Sequence, residues 1–235
     1  GSPALIAIIT AAIEAAEATN GILDPTLGRM MRAWGYNQEV PQQPVPQPSI
    51  VIDRPSNWKD ITINNNVVSV PQGVLIDLGA TAKAWASDQA SQRIWQELHL
   101  ACVIGIGGDL AIAGPADFRT IIEVAESPAD PAVAVVVGPG GLATSSTVRR
   151  TWTVANTTAH HIMDPRTHAP AAGMWRTATV MAATCVAANH AATAAIVMGE
   201  PARRWLASLQ LPARLVAHTE EVTFVGNWPQ DRELA

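Results

Sequence analysis

The chain has 235 residues, of which 48% are hydrophobic and 15% are charged, and its formal net charge is −5 at pH 7. That composition is typical of a globular protein and excludes an intrinsically disordered chain, and no run of about 18 apolar residues offers a membrane-spanning helix. The sequence has no larger cluster of basic residues than the pairs Arg149-Arg150 and Arg203-Arg204. We therefore expect no nucleic-acid partner.

A first helix is predicted by apolar residues that recur at helical spacing between Leu5 and Ala16. Asn20-Gly21 ends it, because both residues tolerate a left-handed backbone. Residues 21–36 predict a loop and a short helix that ends in Trp34-Gly35-Tyr36. Residues 41–48 contain four prolines and predict an extended connector, which could separate two lobes.

The remaining chain predicts strands and helices in mixed order. Residues 61–63 and 67–70 flank three asparagines and predict a hairpin, residues 74–76 predict a buried strand, and residues 81–98 predict a helix. Further strands are predicted at residues 101–106, 110–113, 119–124, 132–137, 177–182, 213–217 and 222–225, and helices at residues 185–198 and 201–209. Because these elements do not alternate regularly, we expect an α+β fold in one compact domain over residues 1–235.

The two cysteines, Cys102 and Cys185, lie in apolar runs, and their spacing makes no metal-binding motif. Two buried thiols are therefore expected, and they leave the cellular compartment open.

The densest group of reactive side chains lies between His160 and Thr167, where two histidines, an aspartate and an arginine surround Pro165. Pro165 fixes its own φ and favours an extended Asp164, so the segment should leave a strand and turn sharply. Two interpretations stay open. The segment is either a reactive loop or a surface turn in which Asp164 caps its own backbone.

Lys83 lies in the first turn of the helix predicted after Asp77-Leu78-Gly79-Ala80. Backbone amides at a helix N-terminus can hold an anion, and Lys83 could add a positive charge toward a phosphate. Alternatively, Lys83 is a surface lysine whose stem packs along the protein. Asp88 could orient Lys83 or be solvated.

A glycine-rich turn, Gly105-Ile106-Gly107-Gly108-Asp109, follows an apolar strand. Its glycines would let a ligand approach the main chain closely, and Asp109 could accept a hydrogen bond from a hydroxyl or an amide. The alternative is a tight hairpin with an aspartate turn.

Residues 144–147 carry four hydroxyl groups after Gly140-Gly141 and suit hydrogen bonding to a phosphate or a sugar, or else form a polar turn. No nucleophile elbow accompanies them, so Ser145 is not interpreted as a protease or esterase nucleophile.

Asn189 and Thr193 lie four residues apart in a predicted helix, so their side-chain oxygens share one face. Two neutral oxygens suit a hard cation such as Mg²⁺ only if phosphates and a backbone carbonyl supply further ligands and charge. The alternative is an amide and a hydroxyl that satisfy a buried helix contact.

Together these segments resemble the ApbE-like FAD:protein FMN transferase family, whose members carry DLGgxAKG, nxGGD, aTSg, HHIxDPrTG and TxxxADxxxT segments in this order. Here the corresponding segments are residues 77–84, 105–109, 143–146, 160–168 and 184–193. Residues 21–28 and Trp34-Gly35 are similar to the family's segment before its central connector. The sequence Leu-Gly-Ala-Thr-Ala-Lys-Ala at residues 78–84 is similar to that of actinobacterial members.

The resemblance implies a metal-dependent enzyme that cleaves FAD, transfers FMN to a Ser or Thr hydroxyl of an acceptor protein and releases AMP. It implies that Mg²⁺ is held by the Ala80 carbonyl and the side chains of Asn189 and Thr193. It also places His161 and Asp164 near the reacting phosphate as catalytic residues. The residues that it assigns to the FAD dinucleotide are Lys83, Gly107, Gly108, Asp109, Thr144, Ser145 and His160.

Three positions depart from the family pattern. Asn189 replaces a metal-binding carboxylate, which should weaken Mg²⁺ binding or make it depend on bound FAD, and His168 and Ala84 each replace a glycine. The family's N-terminal strands, which help to cover the flavin, have no counterpart before the first helix, so we expect either that they lie outside this sequence or that this member binds flavin differently. Beside the transferase, these departures favour one alternative, a non-catalytic FAD-binding protein. Since some members of the family hydrolyse FAD, a second alternative is a pyrophosphatase that converts FAD to FMN and AMP.

Overall fold

This computed structural model describes residues 1–37, 40–48, 57–126, 132–229 and 232–233. The helices are α1 (Pro3–Ala18), α2 (Gly28–Ala33), a short 3-10 helix (Trp58–Asp60), α3 (Ala82–Leu98), α4 (Cys185–Met198) and α5 (Ala202–Ser208). The strands are β1 (Thr62–Asn64), β2 (Val67–Ser69), β3 (Cys102–Ile106), β4 (Asp109–Ala113), β5 (Thr120–Val124), β6 (Val133–Val137), β7 (Gly140–Ser146), β8 (Thr151–Val154), β9 (Thr157–His160), β10 (Met163–Asp164), β11 (Ala169–Pro170), β12 (Trp175–Ala182), β13 (Ala213–Ala217), β14 (Val222–Val225) and β15 (Arg232–Glu233).

The chain folds into two units and passes between them three times. Unit one comprises residues 1–81 and 150–172, and unit two comprises residues 82–149 and 173–235. Both units are therefore assembled from segments that lie far apart in the sequence.

The proline-rich connector lies inside unit one, so the prediction that it separates two lobes is wrong. Val45 in the middle of the connector pairs with strand β8. Its N–H donates to the Thr153 carbonyl at 2.8 Å, and its own carbonyl accepts from the Ala155 N–H at 2.7 Å. An extended segment can pair with a strand in this way because its backbone groups are not used in a helix.

The first helix is confirmed, and its ends have the expected chemistry. The Ser2 hydroxyl accepts from the Leu5 N–H at 3.3 Å, and Pro3 opens the first turn. At the other end the Gly21 N–H donates to the Ala16 carbonyl at 2.7 Å, with Gly21 in the left-handed region at φ +79°.

The strand predicted at residues 74–76 is wrong. Leu75 makes a single β-bridge, to Leu27, and its carbonyl accepts from the Gly28 N–H at 3.0 Å. The Asp77 N–H also donates to the Pro25 carbonyl at 2.8 Å, and the pairing ends there because Gly28 is the first residue of α2 and the chain turns into the helix. The apolar run is therefore partly buried without forming a strand.

Unit two contains a six-stranded sheet with the strand order β14-β13-β12-β7-β4-β3, and all its neighbours are antiparallel. Helices α3 and α4 pack on one face of this sheet, where Ala84, Ala111 and Cys185 form a buried cluster. The predicted helices and strands of this region are confirmed to within about two residues.

A second core lies on the opposite face of the same sheet. Ile112 and Leu142 from the sheet pack with Val135, Val137 and further side chains of β5 and β6. Successive strand residues point to opposite faces, so β7 sends Leu142 to this core and Ala143 toward the helices. Mixed helices and antiparallel strands confirm the predicted α+β class, and within the described residues no helix is long and apolar enough to cross a membrane.

Helix α4 approaches strand β7 closely at Gly141. A Cβ added at this position would overlap the backbone nitrogen of Cys185, the first residue of the helix. Position 141 therefore requires glycine because a side chain has no room there, and its backbone conformation is not the reason. Without a side chain at this position, α4 can lie directly on the sheet.

Gly141→Ala should reduce the free energy of unfolding by about 3 kcal/mol, because the backbone of Thr184 and Cys185 must move away from the new methyl group. Thermal or urea unfolding measures this change. Gly138→Ala is the matched control, since its nearest neighbour is the far end of the Arg119 side chain at 3.0 Å rather than backbone. Equal loss of stability in both variants would contradict the close approach.

Candidate functional site

The Gly107-Gly108 pair forms a two-residue hairpin turn between β3 and β4, in which Ile106 pairs with Asp109. The two glycines have φ angles of +64° and +98°, which residues with side chains rarely adopt. The hairpin interpretation of this segment is therefore confirmed. The turn is exposed, and among the described residues no atom beyond the chain neighbours of Gly108 lies within 4 Å of the position that its Cβ would occupy.

Lys83 reaches beneath this turn from the first turn of α3. A Cβ at Gly107 would lie 3.2 Å from the Lys83 ammonium nitrogen, and that nitrogen lies 3.8 Å from Oδ2 of Asp109. Asp109 is buried, whereas about a third of the Lys83 side chain is exposed. The lysine therefore balances a buried carboxylate, which is the condition under which such a charge is tolerated.

Helix α4 brings Asn189 and Thr193 to the same place. The Asn189 amide donates to Oδ2 of Asp109 at 3.2 Å, and the Thr193 hydroxyl donates to Oδ1 of Asn189 at 3.3 Å. The Ser145 hydroxyl from β7 lies 2.9 Å from that of Thr193. Side chains from three sequence motifs thus form one hydrogen-bonded cluster with Lys83, which we call the unit-two site.

Thr144 lies on the other face of the sheet. Its hydroxyl is 2.9 Å from that of Thr179, its partner across β7 and β12. Neighbouring residues of a strand point in opposite directions, so Thr144 and Ser145 cannot both belong to the unit-two site.

Asp88 has a role that sequence reasoning missed. Its two carboxylate oxygens accept from the backbone N–H groups of Cys185 at 2.8 Å and Val186 at 3.0 Å. The expected alternatives, orientation of Lys83 or full solvation, are both wrong, because Asp88 is buried against the N-terminus of α4. Burial raises the pKa of Asp88, and these two hydrogen bonds offset part of that rise.

Two further groups in α4 are kept neutral by burial. Burial raises the pKa of the Cys185 thiol, and the negative charges of Asp109 and Asp88 raise it further. Burial also lowers the pKa of His190 to about 4. Neither group has the protonation state of a nucleophile or a proton donor at neutral pH. Cys185 is a buried free thiol, as expected, and Cys102 is a partly buried one.

In unit one, His160 is held by backbone on both sides of its ring. Its Nδ1 accepts from the Ile162 N–H at 3.3 Å, so its Nε2 carries the proton and donates to the Ala171 carbonyl at 2.9 Å. This arrangement ties the segment after β9 to the segment after β11. His160 thereby fixes the position of its neighbour, His161.

The Asp164 carboxylate is engaged by Arg166. It accepts from the Arg166 backbone N–H at 2.8 Å, from Nε at 2.8 Å and from a terminal guanidinium nitrogen at 2.7 Å. Burial opposes ionisation of Asp164, but the hydrogen bonds and charge of Arg166 outweigh it and hold the pKa below the ordinary value of 3.8. In the protein by itself, Asp164 therefore stabilises the turn.

His161 is partly buried beside an aromatic pair. Its ring centre lies 6.3 Å from that of Tyr36, which stacks on Trp152 at 5.5 Å. The Trp34 indole donates to the His168 carbonyl at 3.0 Å and so holds the far end of the same loop. The Trp34-Gly35-Tyr36 segment therefore contacts the loop at two positions, His161 and His168.

His168 occupies a backbone conformation that explains the family pattern at its position. Its φ is +55°, in the left-handed region, and its N–H donates to the Asp164 carbonyl at 2.8 Å. Glycine adopts this conformation without strain, whereas histidine does so at a modest cost.

The predicted metal ligands come from both units. Ala80 belongs to a turn of unit one, whereas Asn189 and Thr193 belong to unit two. The described residues contain no cluster of three or more His, Cys, Asp or Glu side chains that could hold a metal. The unit-two site offers hard oxygen donors, but only one of them is a carboxylate, that of Asp109, and Lys83 balances its charge. These donors therefore fit Mg²⁺ only together with a phosphate ligand that supplies further negative charge.

An α+β protein with a lysine, hydroxyls and an amide beside an exposed glycine turn has the groups that bind a phosphorylated small molecule. A sequence model of the ApbE family matches residues 1–215, and the chain belongs to this family. The resemblance inferred from the sequence motifs is thereby confirmed.

The proteins to which this chain is similar include FAD:protein FMN transferases. That of Vibrio cholerae is 26% identical over 227 residues, which cover 92% of this chain and 67% of the relative. That of Haemophilus influenzae is 27% identical over 208 residues, which cover 82% and 60%. The chain thus spans about two thirds or less of these relatives. The ApbE protein of Thermotoga maritima has a similar structure, with a TM-score of 0.83, 27% identity and coverage of 96% of this chain and 76% of that one.

Asp164→Asn should lower the free energy of unfolding at pH 7 by about 1 kcal/mol, a modest value because the exposed Arg166 is screened by solvent. The folded-state pKa of Asp164 lies below its unfolded value, so its stabilisation is present above pH 3.8 and is lost as the pH falls through the lower folded value. Urea unfolding of wild type and variant across the acid range measures this. A difference that stays constant down to the lowest pH would contradict it.

Proposed function

We propose that this protein transfers FMN from FAD to a Ser or Thr hydroxyl of an acceptor protein in a Mg²⁺-dependent reaction that releases AMP. The observation that carries this proposal is the hydrogen-bonded unit-two site, in which Lys83, Asp109, Ser145, Asn189 and Thr193 meet from four segments. The relatives named FAD:protein FMN transferase support the same reaction.

In this proposal the unit-two site binds the pyrophosphate of FAD. The Lys83 ammonium and the exposed Gly107-Gly108 turn face the phosphates, and Ser145 and Asp109 contact the dinucleotide by hydrogen bonds. Mg²⁺ would be held by Asn189, Thr193 and the Ala80 carbonyl, and it would neutralise charge that develops on the phosphate oxygens. Phosphoryl transfer depends mainly on such positioning and charge neutralisation.

His161 is proposed as the group that handles the proton. The acceptor hydroxyl oxygen attacks the FMN phosphorus, the bond from that phosphorus to the bridging oxygen breaks, and AMP leaves with that oxygen. The hydroxyl proton passes to the imidazole of His161, which is suited to proton transfer near neutral pH. His160 and Asp164 hold the loop that carries His161.

The reaction is tested by incubating the protein with FAD, Mg²⁺ and an acceptor that a known transferase modifies. The expected result is an acceptor with the mass increment of FMN, together with an equal amount of AMP. Intact-mass spectrometry and chromatography measure the two products. An unmodified acceptor would contradict the proposal.

A second candidate, FAD binding without catalysis, is favoured by the neutral Asn189 at the metal position. It predicts bound FAD and no AMP under the same conditions. A FAD pyrophosphatase would instead produce FMN and AMP without an acceptor. Chromatography of the FAD products with and without metal and acceptor therefore separates all three functions.

His161→Gln should lower kcat about 100-fold or more while FAD binding stays nearly unchanged, because a proton-transfer group contributes mainly to the chemical step. Product formation gives kcat, and quenching of flavin fluorescence gives the affinity. His168→Gly is the control in the same loop, since its φ of +55° suits glycine. If His161→Gln retained full kcat, or if both variants lost it equally, His161 would have no specific role.

A further inference from the structure

The Asn189 side chain has one orientation that satisfies both of its neighbours. The Asp109 carboxylate can only accept hydrogen bonds, so it must face the amide nitrogen, which lies 3.2 Å from Oδ2. The amide oxygen then faces the Thr193 hydroxyl at 3.3 Å. Asn189 and Asp109 are both buried, so little water is available to replace these bonds.

The unit-two site is electrically balanced as it stands. Lys83 and Asp109 carry one positive and one negative charge, and Ser145, Asn189 and Thr193 are neutral. The carboxylate of Asp88 faces the first backbone amides of α4 instead. A divalent cation that approached the protein alone would therefore meet no excess negative charge.

We propose that the Asn189 amide takes the place of a cation beside Asp109, so that the unit-two site is assembled without metal. The divalent cation then enters together with the pyrophosphate of the nucleotide and does not bind first. The order of binding rests on the proposed function, whereas assembly without metal rests on this hydrogen bond alone.

The physical reason is the cost of dehydrating Mg²⁺. This ion gives up its water reluctantly and needs charged oxygens in return. The neutral amide of Asn189, the hydroxyl of Thr193 and a backbone carbonyl supply little of that charge, but the pyrophosphate of a dinucleotide brings negative charge with it. An aspartate at position 189 would supply charge from the protein, and it would also place a second carboxylate against Asp109.

Thermal unfolding without any nucleotide tests the first part. The melting temperature of wild type should be the same with and without Mg²⁺. Asn189→Asp should melt about 4 °C or more lower than wild type in EDTA, and Mg²⁺ should restore most of that loss. Asn64→Asp makes the same chemical change at an exposed position and should show neither effect.

The double variant Asp109→Asn with Asn189→Asp returns the pair to one carboxylate and one amide. It should melt near wild type in EDTA and respond little to Mg²⁺. If Asn189→Asp fails to fold in either condition, this double variant decides: a wild-type-like melting temperature supports the proposal, and failure to fold overturns it. A strong Mg²⁺ response of wild type, or none in Asn189→Asp, would also overturn it.

The order of binding is tested by calorimetric titration of Mg²⁺ into wild type with and without FAD. Mg²⁺ should bind at least 10-fold more tightly when FAD is present, and Asn189→Asp should bind Mg²⁺ measurably without FAD. Equal affinities for wild type in the two conditions would overturn the order. Because the unfolding experiments contain no FAD, their outcome stays separate from failure of the proposed transferase reaction.

Discussion

The docking of helix α4 onto the six-stranded sheet is the contact on which the candidate site depends. Gly141 leaves the space for it, and Asp88 binds the first amides of the helix from α3. These two contacts hold the first residues of α4 against β7 and α3. Asn189 consequently faces Asp109 and can reach it with a hydrogen bond. A small shift at either contact would separate the side chains that form the site.

Charge balance explains why so many polar groups can lie together there. The buried Asp109 is met by an ammonium group on one side and by the Asn189 amide on the other. The Ser145 hydroxyl donates to that of Thr193, which in turn donates to the Asn189 amide oxygen. Polar groups that are satisfied in this way keep a fixed geometry at little cost.

Local patterns predicted much of the secondary structure, because helix periodicity and turn residues act over a few positions. Helix α1, the helix that begins at Cys185 and the Gly107-Gly108 hairpin were all readable in this way. The apolar segment at residues 74–76 was not, because whether such a run becomes a strand depends on a neighbouring strand. It meets the start of α2 instead. The proline-rich connector was misjudged for a similar reason, since Val45 finds a partner in β8 more than 100 residues later.

The sequence by itself determined the family and the types of side chain in the candidate site, because the five ordered motifs can be recognised before any contact between them is known. Only the tertiary structure decided what each side chain meets. It placed Asp88 where its carboxylate accepts from the backbone N–H of Cys185, 97 residues away. It also placed Thr144 and Ser145 on opposite faces of the sheet. It also turned the Asn189 amide toward Asp109. Such contacts depend on distances between segments that are remote in sequence, and those distances are set by packing of the whole unit.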